Sequence, residues 1–373
     1  MNYLSMSQPQ EFAKIIFYTV FAFGLALWWA GDLIKLLRWL RFWKKNNRKV
    51  NMDGSGFADK SLQKFYDHDE SKMKIPRGGG ILIWVTSLCI ATVFWIILKI
   101  EPENKTLQYL NFVNRAQTFI PLGTLFFGAI IGFVDDALST LEAGGNYMAG
   151  GLKLSQRLFL VSGLSFLIGL WFWARIDLKS INFFTLHFDL TNLFGNGVNF
   201  SWLIIPFTIG VLTLLWGSSV IDGFDGLTGG VMVPIYLCFS GIAYIRGFFD
   251  IAVLMGVIGG STLAFLWFNI APAKFYMGDT GSTPLLLTLG VVAILINAAY
   301  LLPIAGLMLL ITVGSNIIQV FSKKVFKRKI FLAAPIHHHF EALGLKKDQI
   351  VLRYWIVTIA MCGVSLALAL LIK

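Results

Sequence analysis

The segment ILIWVTSLCIATVFWIILKI, residues 81–100, begins with eighteen consecutive residues that carry no charge. A run of about 18 or more apolar residues is long enough to cross the hydrocarbon core of a bilayer as a helix. Inside that core every backbone polar group has to be bonded within the segment, which a helix achieves and irregular coil does not. The stretch therefore predicts a membrane-spanning helix.

The rest of the chain repeats this pattern. Of its 373 residues 56% are hydrophobic and only 14% are charged, and the mean hydropathy is +0.71. A β-barrel would show alternation over about ten residues instead of continuous apolar runs. We predict an all-α polytopic membrane protein with one integral-membrane domain, residues 1–373, and no second globular domain. The ten predicted spans are 12–37, 81–100, 117–134, 158–176, 202–221, 229–246, 251–268, 284–300, 302–321 and 352–372.

Basic residues are concentrated in two connections. Residues 38–80 carry eleven Lys and Arg, and residues 322–350 carry seven, whereas the other connections carry few. By the positive-inside rule this asymmetry places the odd-to-even connections in the cytoplasm and both termini outside. The net charge of +11 is then explained by topology and by contact with anionic membrane lipids, and nucleic acid is not expected as a partner.

Two connections carry local structural signals. Residues 177–201 alternate apolar and polar side chains and contain Gly195-Asn196-Gly197, which predicts a small external β-hairpin. The segment LIKLLRWLRFWKK, residues 33–45, is amphipathic and basic. It predicts a continuation of the first helix along the membrane surface.

Three acidic motifs interrupt the apolar chain: FVDD (133–136), IDGFDGL (221–227) and MGDTG (277–281). They follow the third, fifth and seventh predicted spans, so an alternating path brings all three to the cytoplasmic face. A helix carries partial negative charge at its C-terminus, which makes an aspartate there unfavourable by roughly 0.3–1 kcal/mol unless a cation is present. The aspartates expected at such ends are Asp135, Asp136 and Asp222.

Clustered carboxylates of this kind favour Mg²⁺ or Mn²⁺. Because Mg²⁺ usually takes one or two carboxylates plus substrate phosphates, the aspartates need not all be ligands. Asp135 and Asp136 would point about 100° apart on a helix, which predicts different roles for them. Asp222 and Asp225 would share a face if the helix continued. For any single aspartate the alternative is an ordinary carboxylate at the membrane boundary.

Two further motifs accompany the acids. IPRGGG (75–80) offers glycine backbone that can approach a phosphate, and Lys72, Lys74 and Arg77 beside it form either an anion clamp or a solvated basic loop. The run APIHHHFE (334–341) contains three adjacent histidines, which cannot all bind one metal from regular structure because they point in different directions. Histidine can instead donate to phosphate or act as an acid or base near neutral pH.

Together these motifs resemble a known family. GFVDD (132–136), IDGFDGL, FLWFNIAPAKFYMGDTGS (265–282) and APIHHHFE are similar to the motifs of the phospho-N-acetylmuramoyl-pentapeptide transferase (MraY) family, within the polyprenyl-phosphate N-acetylhexosamine-1-phosphate transferase superfamily. The resemblance covers nearly the whole chain. It implies transfer of phospho-MurNAc-pentapeptide from UDP-MurNAc-pentapeptide to undecaprenyl phosphate, with Mg²⁺ as cofactor, giving lipid I and UMP for peptidoglycan synthesis. Direct attack by the lipid and an aspartyl intermediate both stay open.

The resemblance also implies residue roles and a location. The protein would be a multi-pass protein of the bacterial cytoplasmic (inner) membrane with its active site facing the cytoplasm, and the resemblance allows a homodimer. Asp279 would bind Mg²⁺, and Asp135 and Asp136 would be essential acids near the lipid phosphate. His337 and His338 would lie near the diphosphate or sugar and count with the three aspartates as catalytic. The residues expected to bind nucleotide or substrate are Lys72, Ser219, Asp222, Phe224, Asp225, Asn269, Tyr276 and His339.

Some positions depart from the family pattern. Ser139 stands where the family has a lysine, Ser219 where it has an asparagine, and Arg77 lies in a motif that looks more like relatives acting on other sugars. A transferase using UDP-GlcNAc or another UDP-N-acetyl sugar is therefore the alternative, and Arg77 is expected to supply the charge missing at Ser139. A membrane transporter or lipid flippase is the alternative of another class, since acids in membrane proteins also mark ion pathways.

Overall fold

A computed structural model describes residues 8–43, 74–114, 117–141, 151–176, 178, 180–183, 186–191 and 199–372. Each of the ten predicted apolar stretches contains helix, as the hydropathy pattern requires. We number thirteen α-helices in the described part of the chain. They are α1 Gln8–Trp39, α2 Ile81–Ile100, α3 Lys105–Leu110, α4 Phe119–Leu141, α5 Leu154–Trp171, α6 Ile204–Gly217, α7 Leu227–Ile245, α8 Phe249–Asn269, α9 Asp279–Leu295, α10 Leu302–Ala305, α11 Leu307–Val325, α12 Ile336–Ala342 and α13 Lys347–Leu371.

Short irregular helices extend several of these elements. A π-helical turn, Phe172–Ile176, continues α5, and three 3₁₀ turns flank α6 and precede α10. Between α5 and α6 the strands β1 (Ser180–Phe183) and β2 (Leu186–Asp189) pair antiparallel, with Ser180 opposite Asp189. The Gly195-Asn196-Gly197 sequence lies outside the described residues.

The sequence predicts ten spans. Eight helices of the described chain are long and apolar enough to cross a membrane, or nine if a bent pair counts as one span. The bent pair is Ala299–Ala305 with Leu307–Val325, whose axes differ by 82° about Gly306, in the region of the ninth predicted span. The eighth predicted span, α9, has 17 residues and is about 26 Å long at 1.5 Å per residue, short of the roughly 30 Å hydrocarbon core.

The helix α9 can be shorter than the hydrocarbon core is thick because neighbouring helices, and not lipid, surround it. Every residue from Thr280 to Leu295 is buried, and α9 packs mainly on α4. The helices α7 and α8 are also largely enclosed, because 72% and 83% of the residues in their apolar stretches are buried. The outer helices bury one side only and leave large apolar side chains such as Trp28, Phe159 and Ile356 exposed on the other. The centre of the bundle is thus built from α7, α8 and α9.

The predicted continuation of the first helix over residues 33–45 is helical only as far as Trp39 in the described residues. The helix ends at Trp39, and Arg41 adopts a left-handed backbone conformation with φ of 52°. The chain then turns so that the carbonyl of Phe42 accepts a hydrogen bond from the N–H of Arg77 at 2.7 Å. The end of α1 is therefore tied to the IPRGGG motif, and residues 44–73 lie outside the described chain.

Two glycines allow α4 and the start of α9 to touch backbone to backbone. A Cβ added to Gly132 in α4 would overlap the carbonyl of Asp279. Gly278, which precedes α9, has φ of 71°, and a Cβ there would overlap the carboxylate of Asp136. This close approach brings the FVDD and MGDTG motifs together.

We predict that Gly132→Ala lowers the stability of the protein, because the added methyl meets backbone that cannot move aside. The expected loss is about 1–3 kcal/mol, typical of overpacking. Thermal unfolding in detergent, followed by tryptophan fluorescence, measures it. The matched control is Gly123→Ala in the same helix, where the added Cβ meets open space and no loss is expected. Equal unfolding temperatures for the two variants would contradict the close-contact interpretation.

Candidate active site

The loop between α8 and α9, residues 270–278, connects the predicted motifs. On one side it pairs with the IPRGGG motif: the N–H of Gly79 donates to the carbonyl of Tyr276 at 2.8 Å, and the N–H of Tyr276 donates to the carbonyl of Pro76 at 2.8 Å. Backbone that is bonded in this way is fixed in register. The loop therefore holds Tyr276, expected to stack on a base, beside residues 76–79.

On its other side the same loop is bonded to the IDGFDGL motif. A carboxylate oxygen of Asp222 accepts from the N–H of Gly278 at 3.1 Å, and one of Asp225 accepts from the N–H of Ala273 at 3.0 Å. The chain between the two aspartates is a turn, so they do not share a helix face as they would on a continued helix. Both predicted nucleotide-side aspartates instead join two loops.

Asn269 completes this junction. Its Oδ1 accepts from the N–H of Gly226 at 3.0 Å, and its Nδ2 donates to the carbonyl of Phe275 at 2.9 Å. The side chain is buried. Because both ends of the amide are bonded inside the protein, Asn269 acts here as a bridge between the 222–226 and 270–278 loops.

The three acids expected at the reaction centre converge. Asp135, Asp136 and Asp279 each offer a carboxylate oxygen, and these oxygens lie within 4.8 Å of one another. Asp135 and Asp136 are buried, whereas the side chain of Asp279 is 25% exposed. Asp135 and Asp136 are adjacent on α4, and both carboxylates lie close to that of Asp279 at the start of α9.

Their placement corrects the helix-end argument. The helix α4 runs on to Leu141, so Asp135 and Asp136 lie within it, and Asp279 begins α9 instead of following α8 directly. The N-terminal end of a helix carries partial positive charge. A carboxylate oxygen of Asp136 lies at this end of α9 and accepts a hydrogen bond from the N–H of Thr280 at 2.9 Å. Part of the expected need for a cation is therefore met by the protein.

Arg157 supplies further positive charge to the carboxylates, and the sequence alone does not identify it as a site residue. Its Nη2 lies 2.8 Å from an oxygen of Asp135, and its Nη1 lies 2.9 Å from an oxygen of Asp279. The only sequence signal was a basic residue at the start of the fourth span, in GLKLSQR (151–157). Spacing along the chain does not reveal that this position faces residues 22 and 122 positions away.

Among the described residues, Arg77 is a second cation near the acids. It interacts electrostatically with both Asp136 and Asp222, as expected for a residue that supplies positive charge here. Asp222 is exposed, yet the surrounding protein removes enough water from its carboxyl to raise the pKa above the ordinary value. The positive charge of Arg77 partly offsets this rise. Ser139 donates its hydroxyl to the backbone carbonyl of Asp136 at 2.8 Å.

Two other predicted binding residues are placed as follows. The backbone carbonyl of Ser219 accepts from the N–H of Asp222 at 3.1 Å, just before the acidic turn. Lys72 lies outside the described residues, so its predicted role stays a prediction.

The histidine run separates into two groups. His337 and His338 both pack edge-on against Phe224, with ring centroids 5.0 Å from that ring in each case. A Cβ on Gly223 would lie 2.6 Å from Nε2 of His337 and 3.4 Å from Nε2 of His338. The APIHHHFE motif therefore packs against the IDGFDGL turn.

His339 faces elsewhere. Its Nδ1 accepts from the N–H of Leu332 at 3.2 Å, and its ring packs on Phe331. His338 shares a hydrogen bond with Glu341, at 3.0 Å between Nδ1 and Oε2. The structure thus brings His337 and His338, but not His339, to the IDGFDGL turn.

His337 is fully buried, and neither ring nitrogen has a hydrogen-bond partner in the described protein. Burial, together with the neighbouring His338, holds the pKa of His337 well below its usual range. The imidazole is therefore neutral at physiological pH. A buried polar group without a partner in the protein is a feature that calls for a functional or structural reason.

The donor set at the acid cluster suits a divalent cation. Three carboxylates offer hard oxygen ligands, which Mg²⁺ and Mn²⁺ prefer over softer donors. The residues that could hold such an ion are Asp135, Asp136 and Asp279.

A comparison with known families gives a match. The family model described as glycosyl transferase family 4 matches residues 118–297, which contain all three acidic motifs. This segment of the chain is similar to glycosyl transferase family 4. The family contains MraY and related polyprenyl-phosphate hexosamine-1-phosphate transferases. It supports a membrane sugar-phosphate transferase, with a nucleotide-sugar donor and a polyprenyl phosphate acceptor, over the transporter or flippase considered from the sequence. The family is generally dependent on a divalent metal.

We predict that acidification destabilises the protein through His337. Below pH about 6.5 an unfolded histidine takes up a proton that the folded His337 does not. The contribution of His337 to stability should therefore fall as the pH is lowered through that value, by up to about 1.4 kcal/mol per pH unit, whereas the raised pKa of the Asp222 carboxyl acts in the opposite direction. The measurement is the change in unfolding temperature between pH 7.5 and 5.5, compared between the parent and His337→Gln.

His337→Gln should show a smaller drop over this range, because it cannot titrate. His339→Gln, in the same short helix but with a partnered ring, is the control and should behave as the parent. A parent-like drop in the His337 variant would contradict the assignment.

Proposed function

We propose that this chain transfers phospho-MurNAc-pentapeptide from UDP-MurNAc-pentapeptide to undecaprenyl phosphate, producing lipid I and UMP. The observation that carries the proposal is the docking of the histidine run on the IDGFDGL turn, through Phe224 and Gly223. The histidine run is the motif that favours the MraY type over relatives that use other sugars, and it lies against the motif expected to bind the nucleotide.

The proposal includes where the reaction takes place. The density of basic residues in 38–80 and 322–350 supports a cytoplasmic position for the site, in a bacterial inner membrane. A site at one end of an apolar bundle lets a lipid phosphate in the bilayer meet a water-soluble nucleotide sugar. Homodimer formation stays a prediction.

The chemistry is a phosphoryl transfer, which depends mainly on positioning and on neutralising charge. When bound, Mg²⁺ would supply positive charge to the diphosphate, held by carboxylates of the cluster and above all by Asp279. Asp135 or Asp136 would orient the lipid phosphate or accept its proton. Arg77, in electrostatic range of Asp136 and Asp222, would attract the anionic groups of the substrates.

The donor sugar is tested by UMP release. Purified protein in detergent, given undecaprenyl phosphate and Mg²⁺, should release UMP with UDP-MurNAc-pentapeptide. UDP-GlcNAc is the comparison, because IPRGGG looks more like relatives that use other sugars and Ser139 departs from the family pattern. Release with UDP-GlcNAc alone would move the assignment to that activity, and no release with any nucleotide sugar would exclude the enzyme.

We predict that Asp279→Asn lowers turnover by about 10²–10³-fold, the effect typical of losing one charge-stabilising group at a reaction centre. The substitution keeps the shape of the side chain but weakens its ion pair with Arg157, so the unfolding temperature is measured in parallel to show that the variant is folded. The control is Asp32→Asn, which removes an exposed carboxylate from α1. Near-normal turnover in the Asp279 variant would rule out its metal role.

A further inference from the structure

The acid cluster carries its own cation. In the described chain Asp136 is served by the N–H of Thr280 and by Arg77, whereas Asp135 and Asp279 share a single guanidinium, that of Arg157. The two contacts are 2.8 and 2.9 Å long and use one Nη each. One side chain thus bridges carboxylates from two different helices.

Arg157 is held in this position from behind. Its Nε donates to the carbonyl of Leu152 at 3.2 Å, and the N–H of Leu152 donates to the other carboxylate oxygen of Asp135 at 2.8 Å. The side chain of Arg157 is only 18% exposed.

The bridge uses the groups that a metal would use. Asp135 and Asp279 are two of the three carboxylates whose oxygens converge within 4.8 Å. A hard divalent cation binds such oxygens directly. Two cations a few ångströms apart in a partly buried site repel each other strongly. Tight binding of a divalent ion and an intact double contact of Arg157 are therefore in conflict.

We propose that Arg157 is an internal counter-ion that competes with the divalent cation for Asp135 and Asp279, and that metal binding requires it to release at least one of them. It is a positioning residue that keeps the three carboxylates together before the metal binds and limits how tightly the metal is held. The inference rests on the proposed function only in taking the acid cluster as the metal site.

The test is a titration of the purified full-length protein with Mn²⁺, in which electron paramagnetic resonance measures the free ion. Arg157→Gln should bind Mn²⁺ at least about tenfold more tightly than the parent, because a competing positive charge is gone. Arg157→Lys keeps the charge but cannot bridge two carboxylates with a fork, and should bind with intermediate affinity. Arg175→Gln, at the far end of the same span, is the matched control and should bind as the parent does.

Thermal unfolding gives a second readout that does not depend on turnover. Without divalent ions, Arg157→Gln should unfold at a lower temperature than the parent, because three carboxylates are left with less neutralisation. Added Mg²⁺ should raise its unfolding temperature by more than that of the parent. Unchanged or weaker Mn²⁺ binding in Arg157→Gln would overturn the proposal, and if that variant does not fold, parent-like binding in Arg157→Lys would do so.

Asp279→Asn separates this inference from the proposed metal site. If it weakens Mn²⁺ binding while Arg157→Gln leaves it unchanged, the metal site stands and the competition is wrong. If it leaves Mn²⁺ binding unchanged, the metal site is wrong and the competition at that site fails with it.

Discussion

Three carboxylates meet at one end of an apolar helical bundle, and the surrounding structure is arranged to make that possible. Like charges within 4.8 Å repel each other, and the interior offers little water to screen them. The protein answers with the N-terminal end of α9 at Asp136 and with the guanidinium of Arg157 at Asp135 and Asp279. Without these partners α4 and α9 could not approach as closely as Gly132 allows.

The same constraint explains the form of the central helices. The helix α9 begins at the acid cluster, and its residues from Thr280 to Leu295 are covered by neighbouring helices. The 270–278 loop before it is bonded to the IPRGGG motif on one side and to the IDGFDGL turn on the other. A loop with this many backbone bonds is a rigid support, and rigid supports favour catalysis by positioning.

The histidine run shows how far sequence reasoning reached at the site. Adjacent histidines were expected to point in different directions, and His339 does face Phe331 while His337 and His338 face Phe224. Their docking on Gly223 could not be predicted, because α12 is reached only after the bend between α10 and α11. Arg157 was missed for the same kind of reason: its two partners lie on other helices, and no periodicity links them.

The sequence alone determined that this is a helical membrane protein and that its acids gather at one face. Hydrophobic runs and basic-residue counts are local properties: the hydrocarbon core turns apolar runs into helices, and the positive-inside rule predicts their orientation. Tertiary structure decided which helices cross fully, since burial freed α9 from the bilayer thickness and Gly306 marks the 82° bend. It also decided the charge balance of the site. A contact between Arg157 and two distant carboxylates depends on how three helices pack, and packing is not written in any single segment.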